Sequence, residues 1–110
     1  MKDDKEKVFN YIPFGKDNAI TREQLSELTG YSDRRNRIII ATLRREGRLI
    51  CSDSKNKGYW RADSVTEAER YINEMIHRAM SILGTISKAR RELKLLKEKQ
   101  QARQEDLFYD

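Results

Sequence analysis

Residues 20–60 read ITREQLSELTGYSDRRNRIIIATLRREGRLICSDSKNKGYW, and this stretch decides the fold. Its first part is a short helical run that ends at Thr29-Gly30, where glycine supplies the positive φ with which a chain leaves a helix. A second helical run opens at Ser32 and carries three arginines in its first two turns. Two short runs of strand-forming residues follow, separated by a polar and basic turn. The stretch therefore predicts two helices joined by a tight turn, and then a β-hairpin.

Both helices have start and stop signals of their own. Thr21 is a good N-cap, and Gln24 three residues later completes a capping box. Ser32 caps the following helix, which we expect to run to about Glu46 and to be closed by Gly47. The apolar residues at helical spacing should face a common core, and these are Leu25, Leu28, Ile39, Ile40 and Leu43.

The segments around the two helices complete a mainly α fold with a small β-hairpin. Upstream, residues 3–12 predict a first helix, and residues 19–20 predict a short strand that can pair with the hairpin. The hairpin strands are predicted at 48–52 and 59–61, with a basic turn at 53–58 between them. In the first of these strands the inward residues are expected to be Leu49 and Cys51, or else Ile50.

A long helix is predicted after the hairpin, with Ser64 as its cap and an end near residue 99. Residues 64–83 carry a wide apolar stripe, which predicts packing on the preceding domain, whereas 86–96 carry a narrow heptad seam that predicts a projecting coiled-coil homodimer. The alternative is that the helix folds back on its own domain. The seam repeats with spacings of four and three at Ala68, Ile72, Met75, Ala79, Ile82, Ile86, Ala89, Leu93 and Leu96, and the residues expected to form the dimer are the last five of these.

The chain is expected to divide into three parts. Residues 1–62 form the helical domain with its hairpin, residues 63–99 form the long helix, and residues 100–110 form a flexible tail, because the sequence there becomes polar.

The positive charge of the chain is concentrated in its N-terminal half. The net charge is +5, and residues 1–61 carry the whole excess with 14 Lys/Arg against 9 Asp/Glu. Within that half, residues 34–61 hold nine basic and two acidic side chains. A basic excess confined to one motif indicates a polyanionic partner, although a charged run is also typical of a solvated surface.

Several function classes lack sequence support. The single cysteine, Cys51, excludes an internal disulfide, and it is expected to be a small buried residue of a strand. The only histidine, His77, has no metal-ligand partner at a suitable spacing, and no phosphate-binding, dinucleotide-binding or nucleophile motif is present. We therefore expect no enzyme, no metal and no cofactor. With no signal segment and no run of about 18 apolar residues, we expect a protein of the cytoplasm that does not enter a membrane.

Residues 21–61 resemble the winged helix-turn-helix domains of bacterial and phage DNA-binding proteins. The pattern T-x-x-x-L-x-x-x-x-G-x-S-x-R-x-x-R-x-x-I-x-x-L-R-x-x-G is matched by Thr21, Leu25, Gly30, Ser32, Arg34, Arg37, Ile40, Leu43, Arg44 and Gly47. The resemblance implies that the second helix of the pair enters the major groove of double-stranded DNA. Asn36 departs from the pattern, because an apolar residue that packs on the preceding helix usually occupies that position.

This docking geometry predicts the residues that contact DNA. Arg34 and Arg37 should read base edges, since arginine can fork to guanine. Arg35 and Arg44 are expected on phosphates, helix starts add hydroxyl and N–H groups, and the hairpin turn reaches a phosphate or the minor groove. The predicted set is Thr21, Ser32, Arg34, Arg35, Asn36, Arg37, Arg44, Lys55 and Lys57.

The end of the chain carries a second resemblance. Residues 104–108 read QEDLF, which is similar to the Q-x-[SD]-L-F peptide with which bacterial replication and repair proteins bind the β sliding clamp. The resemblance implies that Leu107 and Phe108 fill an apolar pocket while Gln104 and Asp106 make polar contacts at its rim. Alternatively, the two apolar residues pack on the protein's own fold or on a dimer mate.

Two hypotheses of different classes follow. In the first, the chain is a DNA-binding protein of a bacterium or its phage, acting as a transcription regulator or as a replication accessory factor recruited to the sliding clamp. In the second, the same fold is a protein-interaction module or inhibitor that binds the clamp or another protein without specific DNA readout. The salt dependence of DNA binding separates the two hypotheses.

Overall fold

A computed structural model describes residues 2–52 and 58–109 of the chain. The fold is mainly helical, with a small antiparallel sheet and a long C-terminal helix, as the sequence predicts. A short 3-10 helix at Lys16–Asn18 precedes the first strand. The principal elements in chain order are α1 (Lys2–Tyr11), β1 (Ile20–Thr21), α2 (Arg22–Thr29), α3 (Asp33–Arg45), β2 (Ile50–Ser52), β3 (Gly58–Arg61) and α4 (Val65–Tyr109).

Helices α2 and α3 begin and end at the residues that the sequence indicates. The Thr21 hydroxyl accepts a hydrogen bond from the Gln24 backbone N–H, and the Gln24 side chain accepts one in return from the Thr21 N–H, which confirms the capping box. The Ser32 hydroxyl caps α3 by accepting a hydrogen bond from the Arg35 backbone N–H at 3.1 Å. Gly30 closes α2 with φ at +75°, a left-handed conformation that costs a residue with a Cβ atom about 1 kcal/mol or more.

The three strands form one sheet in the order β1-β3-β2. Ile20 of β1 lies opposite Tyr59 of β3, and Cys51 of β2 lies opposite Trp60 on the other side of β3. The short strand predicted before α2 is therefore present and pairs with the hairpin. Strand β2 is shorter than predicted, and the centre of the predicted hairpin turn, at 53–57, lies outside the described residues.

The core lies between the helices and one face of the sheet. Leu28 is not part of it: its side chain is 52% exposed, so the prediction of an inward Leu28 was wrong. In β2 both Ile50 and Cys51 are fully buried, while Leu49 precedes the strand and is partly exposed. The main cluster of buried residues consists of Val8, Ile12, Ile20, Leu25, Ile39, Ile40, Leu43, Ile50 and Tyr59.

Two successive residues of β2 are buried because the sheet is covered on both faces. Ile50 belongs to the main cluster, whereas Cys51 points to the other face and packs with Trp60 and Tyr71 in a second, smaller cluster. Tyr71 comes from α4, so the first two turns of this helix cover the second face of the sheet. An alternation rule that assumes one buried face cannot anticipate this arrangement.

Helix α4 differs from its prediction in two respects: how many of its residues are buried, and where the helix ends. Packing on the domain was expected over 64–83, but Tyr71 is its last buried residue, and every described side chain from Ile72 to Leu107 is exposed in the single chain. The helix also continues ten residues beyond the predicted end, so the tail predicted to be flexible is helical through Tyr109. Gln, Ala, Arg, Glu and Leu make up most of this segment, and these residues favour helix over coil.

The chain forms two units, Met1–Ile72 and Asn73–Asp110. The first unit contains the sheet, α1 to α3 and the start of α4. The second unit consists of the remainder of α4. Among residues 2–52 and 58–109, no helix combines the length and the apolar character needed to cross a bilayer.

Candidate nucleic-acid interface

Helix α3 has an apolar inner face and a basic outer face. Asn36, Ile39, Ile40 and Leu43 are buried, and they repeat at helical spacing. The opposite side, which we call the outer α3 face, is exposed and consists of Arg34, Ile38, Ala41 and Arg45. These four residues follow one another at spacings of four, three and four, so they form a continuous strip along the helix.

Arg34 is the first residue of the outer α3 face and is available for a ligand. It is exposed, and its guanidinium has no hydrogen-bond or ion-pair partner within the described part of the chain. Arg45, at the other end of the strip, is also exposed, and its guanidinium donates a hydrogen bond to the Thr42 hydroxyl of its own helix at 3.2 Å. The strip therefore presents a cation at each end.

Ile38 lies between these two arginines, and its side chain is 53% exposed. It was not among the residues predicted to contact DNA, nor was it among those predicted to face the core. The signal that could have found it is its spacing of four from Arg34, on the side opposite Leu43. An exposed aliphatic group on a groove-facing helix can contact the methyl group of thymine.

Arg37 lies beside the outer α3 face and belongs to a three-residue ion-pair cluster. Its Nε atom lies 3.1 Å from the Asp33 carboxylate. The same carboxylate accepts two hydrogen bonds from Arg22, one of them 2.8 Å from Nε to Oδ1. Hydrogen bonding by Arg22 lowers the pKa of Asp33, and the carboxylate raises the pKa of Arg22. Asp33 therefore stays charged and holds both guanidinium groups near the start of α3.

The Arg22–Asp33 pair also brings together the N-terminal turns of α2 and α3. A cleft between the two turns is lined by Thr21, Arg22, Glu23, Ser26 and Asp33. The hydroxyl oxygens of the two capping residues, Thr21 and Ser32, accept hydrogen bonds from backbone N–H groups of their own helices. Their O–H hydrogens can therefore be donated to an anion. Arg22 was not predicted as a site residue, because its sequence position gives no sign that it reaches α3.

Arg35 does not lie on the outer α3 face, although it was predicted to contact phosphate. Its guanidinium pairs with the Asp4 carboxylate and stacks 3.9 Å from the centre of the Tyr31 ring. The Tyr31 hydroxyl donates to the same carboxylate at 2.7 Å. Hydrogen bonds from Tyr31 and Arg35 lower the pKa of Asp4. This contact joins α1 to the start of α3, so it is a structural role for Arg35.

Asn36 is 1% exposed, and its predicted contact with a base is excluded by that burial. Its amide NH₂ donates to the Ser26 hydroxyl at 3.4 Å and to the Tyr31 carbonyl at 3.5 Å. Its amide oxygen accepts from the Thr29 hydroxyl at 3.3 Å. Three long hydrogen bonds thus satisfy the one polar group on the inner face, which fixes α3 against α2 and the turn.

Arg44 also serves the fold rather than the surface. Its Nε donates to the Ile50 carbonyl at 2.9 Å, and Nη2 donates to the Ser52 hydroxyl at 3.0 Å. The guanidinium lies within about 6 Å of the Tyr59 and Tyr71 rings. The predicted phosphate contact of Arg44 does not fit this geometry, because the side chain bridges the end of α3 to β2.

The other predicted site residues are not residues of α2 or α3. Lys55 and Lys57 fall outside the described residues. Gln104, Asp106 and Leu107 occupy the end of α4, where the Leu107 side chain is 81% exposed; the side chain of Phe108 is outside the described part. The side chains predicted to form a dimer are all exposed along α4, and these are Ile82, Ile86, Ala89, Leu93 and Leu96.

Across 2–52 and 58–109, no group of three or more His, Cys, Asp or Glu side chains could hold a metal ion. His77 is an exposed residue of α4, and Cys51 is buried in the second cluster.

A scan against protein-family models and searches of curated proteins and of solved structures each find no match for this chain.

Proposed function

We propose that this chain is a non-enzymatic protein that binds double-stranded DNA with α3 in the major groove. The order of elements supports this, because a helix, a strand, two helices joined by residues 30–32 and two antiparallel strands follow the order expected of a winged helix-turn-helix domain. The observation that carries the proposal is the outer α3 face. It is exposed, it holds Arg34 and Arg45, and it contains no carboxylate.

The side chains of this face have separate roles in the proposal. Arg34, near the N-terminus of α3, forks to a guanine edge, and Ile38 one turn later contacts a thymine methyl group. Arg37 contacts a base or a phosphate after its ion pair with Asp33 is replaced by a contact with DNA. Arg45 contacts a phosphate. The first turns of α2 and α3 add backbone N–H groups and the Thr21 hydroxyl to the phosphates.

A double substitution tests the proposed face. Arg34→Ala with Arg37→Ala should weaken binding to duplex DNA by about tenfold or more, because a bidentate base contact is worth about 1–3 kcal/mol and a phosphate contact adds to it. The matched control is Arg70→Ala with Arg91→Ala, which removes the same charge from exposed positions of α4. Fluorescence anisotropy with a labelled duplex measures both. Equal losses of DNA affinity in the two double variants would show that only net charge matters, and would refute the proposal that the outer α3 face contacts DNA.

We further propose that the C-terminal peptide recruits the protein to the bacterial β sliding clamp, in the cytoplasm of the host cell. The supporting observation is Leu107, an apolar side chain almost fully exposed in a polar segment. The peptide must leave its helical conformation to lie extended in a pocket. The end of α4 lowers that cost, because Glu105 and Asp106 are acidic and the last turn has no basic residue, which opposes the helix dipole.

The clamp proposal has its own experiment. Leu107→Ala with Phe108→Ala should abolish retention of the protein by immobilised clamp and leave DNA binding unchanged. Affinity in the micromolar range is expected, since two apolar anchors contribute about 1.5–3 kcal/mol each before the cost of ordering. Lys94→Ala with Lys97→Ala is the control. Retention of the double Leu107/Phe108 variant at wild-type level would reject the clamp contact.

The same pair of assays separates the alternative function, a protein-interaction module without DNA readout. Such a module would bind the clamp but would show no salt-dependent affinity for DNA. In both versions we propose that two copies associate through the exposed apolar side chains of α4.

A further inference from the structure

The apolar stripe of α4 has no partner within the described part of the single chain. Beyond Tyr71 the helix keeps the heptad spacing, yet its apolar side chains are exposed. The stripe is wider than a two-residue seam, because Ile76 and Leu83 flank it on one side. With a and d as the seam positions of the heptad, the seam residues after Tyr71 are Ile72, Met75, Ala79, Ile82, Ile86, Ala89, Leu93 and Leu96.

We propose that a second copy of this chain covers the stripe and that the two helices run antiparallel, with Ile82 of each copy packed against Ile86 of the other. This deepens the proposed association of two copies and does not depend on DNA binding. In that register Met75 faces Leu93 and Ala79 faces Ala89, so every apolar layer between 75 and 93 is matched. The small residues meet each other, and the large residues meet each other.

The residues beside the seam favour the antiparallel direction. On one flank, the g positions, the sequence places Arg78, Thr85 and Glu92 at intervals of seven. In an antiparallel pair this flank meets its own copy. With Ile82 against Ile86, Thr85 meets Thr85, and Arg78 meets Glu92 twice in the dimer. Opposite charges at these flanking positions set the orientation of coiled coils.

The other flank, at the e positions, gives the same answer. It carries Ile76, Leu83 and Arg90 at intervals of seven, so in the antiparallel register Ile76 of each copy lies beside Arg90 of the other. In the antiparallel register Leu83 meets Leu83 of the second copy, which covers an exposed apolar side chain with another. A parallel pair would instead place Leu83 beside Arg78 and Thr85 beside Arg90.

A parallel pair also has two favourable charged contacts in the dimer, between Glu92 of each copy and Lys97 of the other. It also has a like-charged one, because Arg103 occupies the next d position and would face Arg103 of the other copy. In the antiparallel register Arg103 lies beyond the matched layers. Both directions therefore give two oppositely charged contacts in the dimer, and the antiparallel pair is favoured because it adds the Leu83 contact and avoids a buried pair of cations.

Two cysteine variants of the full chain test the direction. Ile82→Cys and Ile86→Cys chains, one of them carrying a size tag, are equilibrated in a glutathione redox buffer and separated on a non-reducing gel. An antiparallel pair places residue 82 opposite 86, within disulfide range, so the mixture should yield the mixed disulfide and neither chain alone should yield a covalent dimer. Wild-type protein, whose Cys51 is buried, is the control.

Covalent dimers of each variant alone, without excess of the mixed species, would show a parallel pair and overturn the proposal. A wild-type chain that sediments as a monomer at 100 μM would overturn it as well, and this measurement needs no DNA, so it is independent of the DNA proposal.

A charge exchange provides a second test that does not introduce cysteine. Arg78→Glu should weaken dimerisation in sedimentation equilibrium by about tenfold, because two attractive contacts become repulsive. Adding Glu92→Arg should restore the affinity to within about threefold of wild type, since the exchanged charges again match. Failure of the second substitution to restore dimerisation would overturn the antiparallel register.

Discussion

Replacement of Asn36 by alanine tests whether this buried amide holds α3 in place or reads DNA. The substitution removes three hydrogen bonds of 3.3–3.5 Å, all near the upper limit for such contacts. Each is therefore worth no more than about 0.5 kcal/mol, at the low end of the usual range. The buried Thr29 hydroxyl is not left without a partner, because it keeps its 2.8 Å bond to the Leu25 carbonyl.

A small cavity adds to this loss, so we expect Asn36→Ala to lower the free energy of unfolding by about 1–2 kcal/mol. Urea denaturation followed by circular dichroism measures it. Asn36→Leu is the matched variant, because leucine is of similar length and replaces weak hydrogen bonds by apolar contacts with the inner face. Its stability should lie within about 1 kcal/mol of wild type.

DNA binding by the same two variants completes the experiment. Under conditions in which both are fully folded, the affinity for duplex DNA should equal that of wild type, because a side chain that is 1% exposed cannot reach a base. An Asn36→Leu protein that is folded and stable but binds DNA tenfold more weakly would refute this reasoning. It would mean that residue 36 turns outward when DNA binds.

Three further predictions concern charged residues. Arg44→Ala should destabilise the fold by about 1.5–3 kcal/mol in urea denaturation, because it removes two charged hydrogen bonds to β2; a variant as stable as wild type would show that the bridge is not formed. Asp33→Asn should strengthen binding to duplex DNA by up to about eightfold at 0.1 M salt, the value of one more phosphate contact, and weaker binding would mean that Asp33 is needed to position Arg37. Glu67→Gln should be more stable than wild type at pH 7, and this gain should be smaller at pH 4. Burial and the neighbouring Asp63 raise the pKa of Glu67, so the stability contributed by its protonated form is lost as the pH rises. A gain in stability that is the same at both pH values would contradict this.

The sequence predicted the fold well where a local rule has a local cause. The capping box at Thr21 and the glycine turn at Gly30 depend on residues within four positions of each other, and both are as predicted. The strand before α2 and the two strands of the hairpin were also predicted, because turn residues separate these short runs of strand-forming residues. The fold class follows from these elements alone.

The arginines show where the sequence was insufficient. Arg34, Arg35 and Arg44 look alike in the sequence, and all three were predicted to contact DNA. Only contacts between distant elements distinguish them: Arg35 is paired with a residue of α1, and Arg44 is bonded to β2, while Arg34 remains unpaired among the described residues. Arg22 was missed for the same reason, since its partner, Asp33, lies eleven positions away.

The prediction that α4 packs on the domain as far as residue 83 was wrong for another physical reason. A wide apolar stripe was assumed to need the chain's own domain, but Ile76 and Leu83 are exposed, and a second copy can cover such a stripe equally well. A pattern of apolar residues fixes which face is buried but not which molecule buries it.

The most direct test of the central proposal is the salt dependence of DNA binding by the wild-type chain. Fluorescence anisotropy with a labelled duplex of random sequence is measured from 50 to 300 mM KCl. If the exposed basic residues of α3 and its flanks contact about four phosphates, log affinity should fall against log salt with a slope near −3.6. Binding that is absent at 50 mM, or that does not change across the range, would contradict the account.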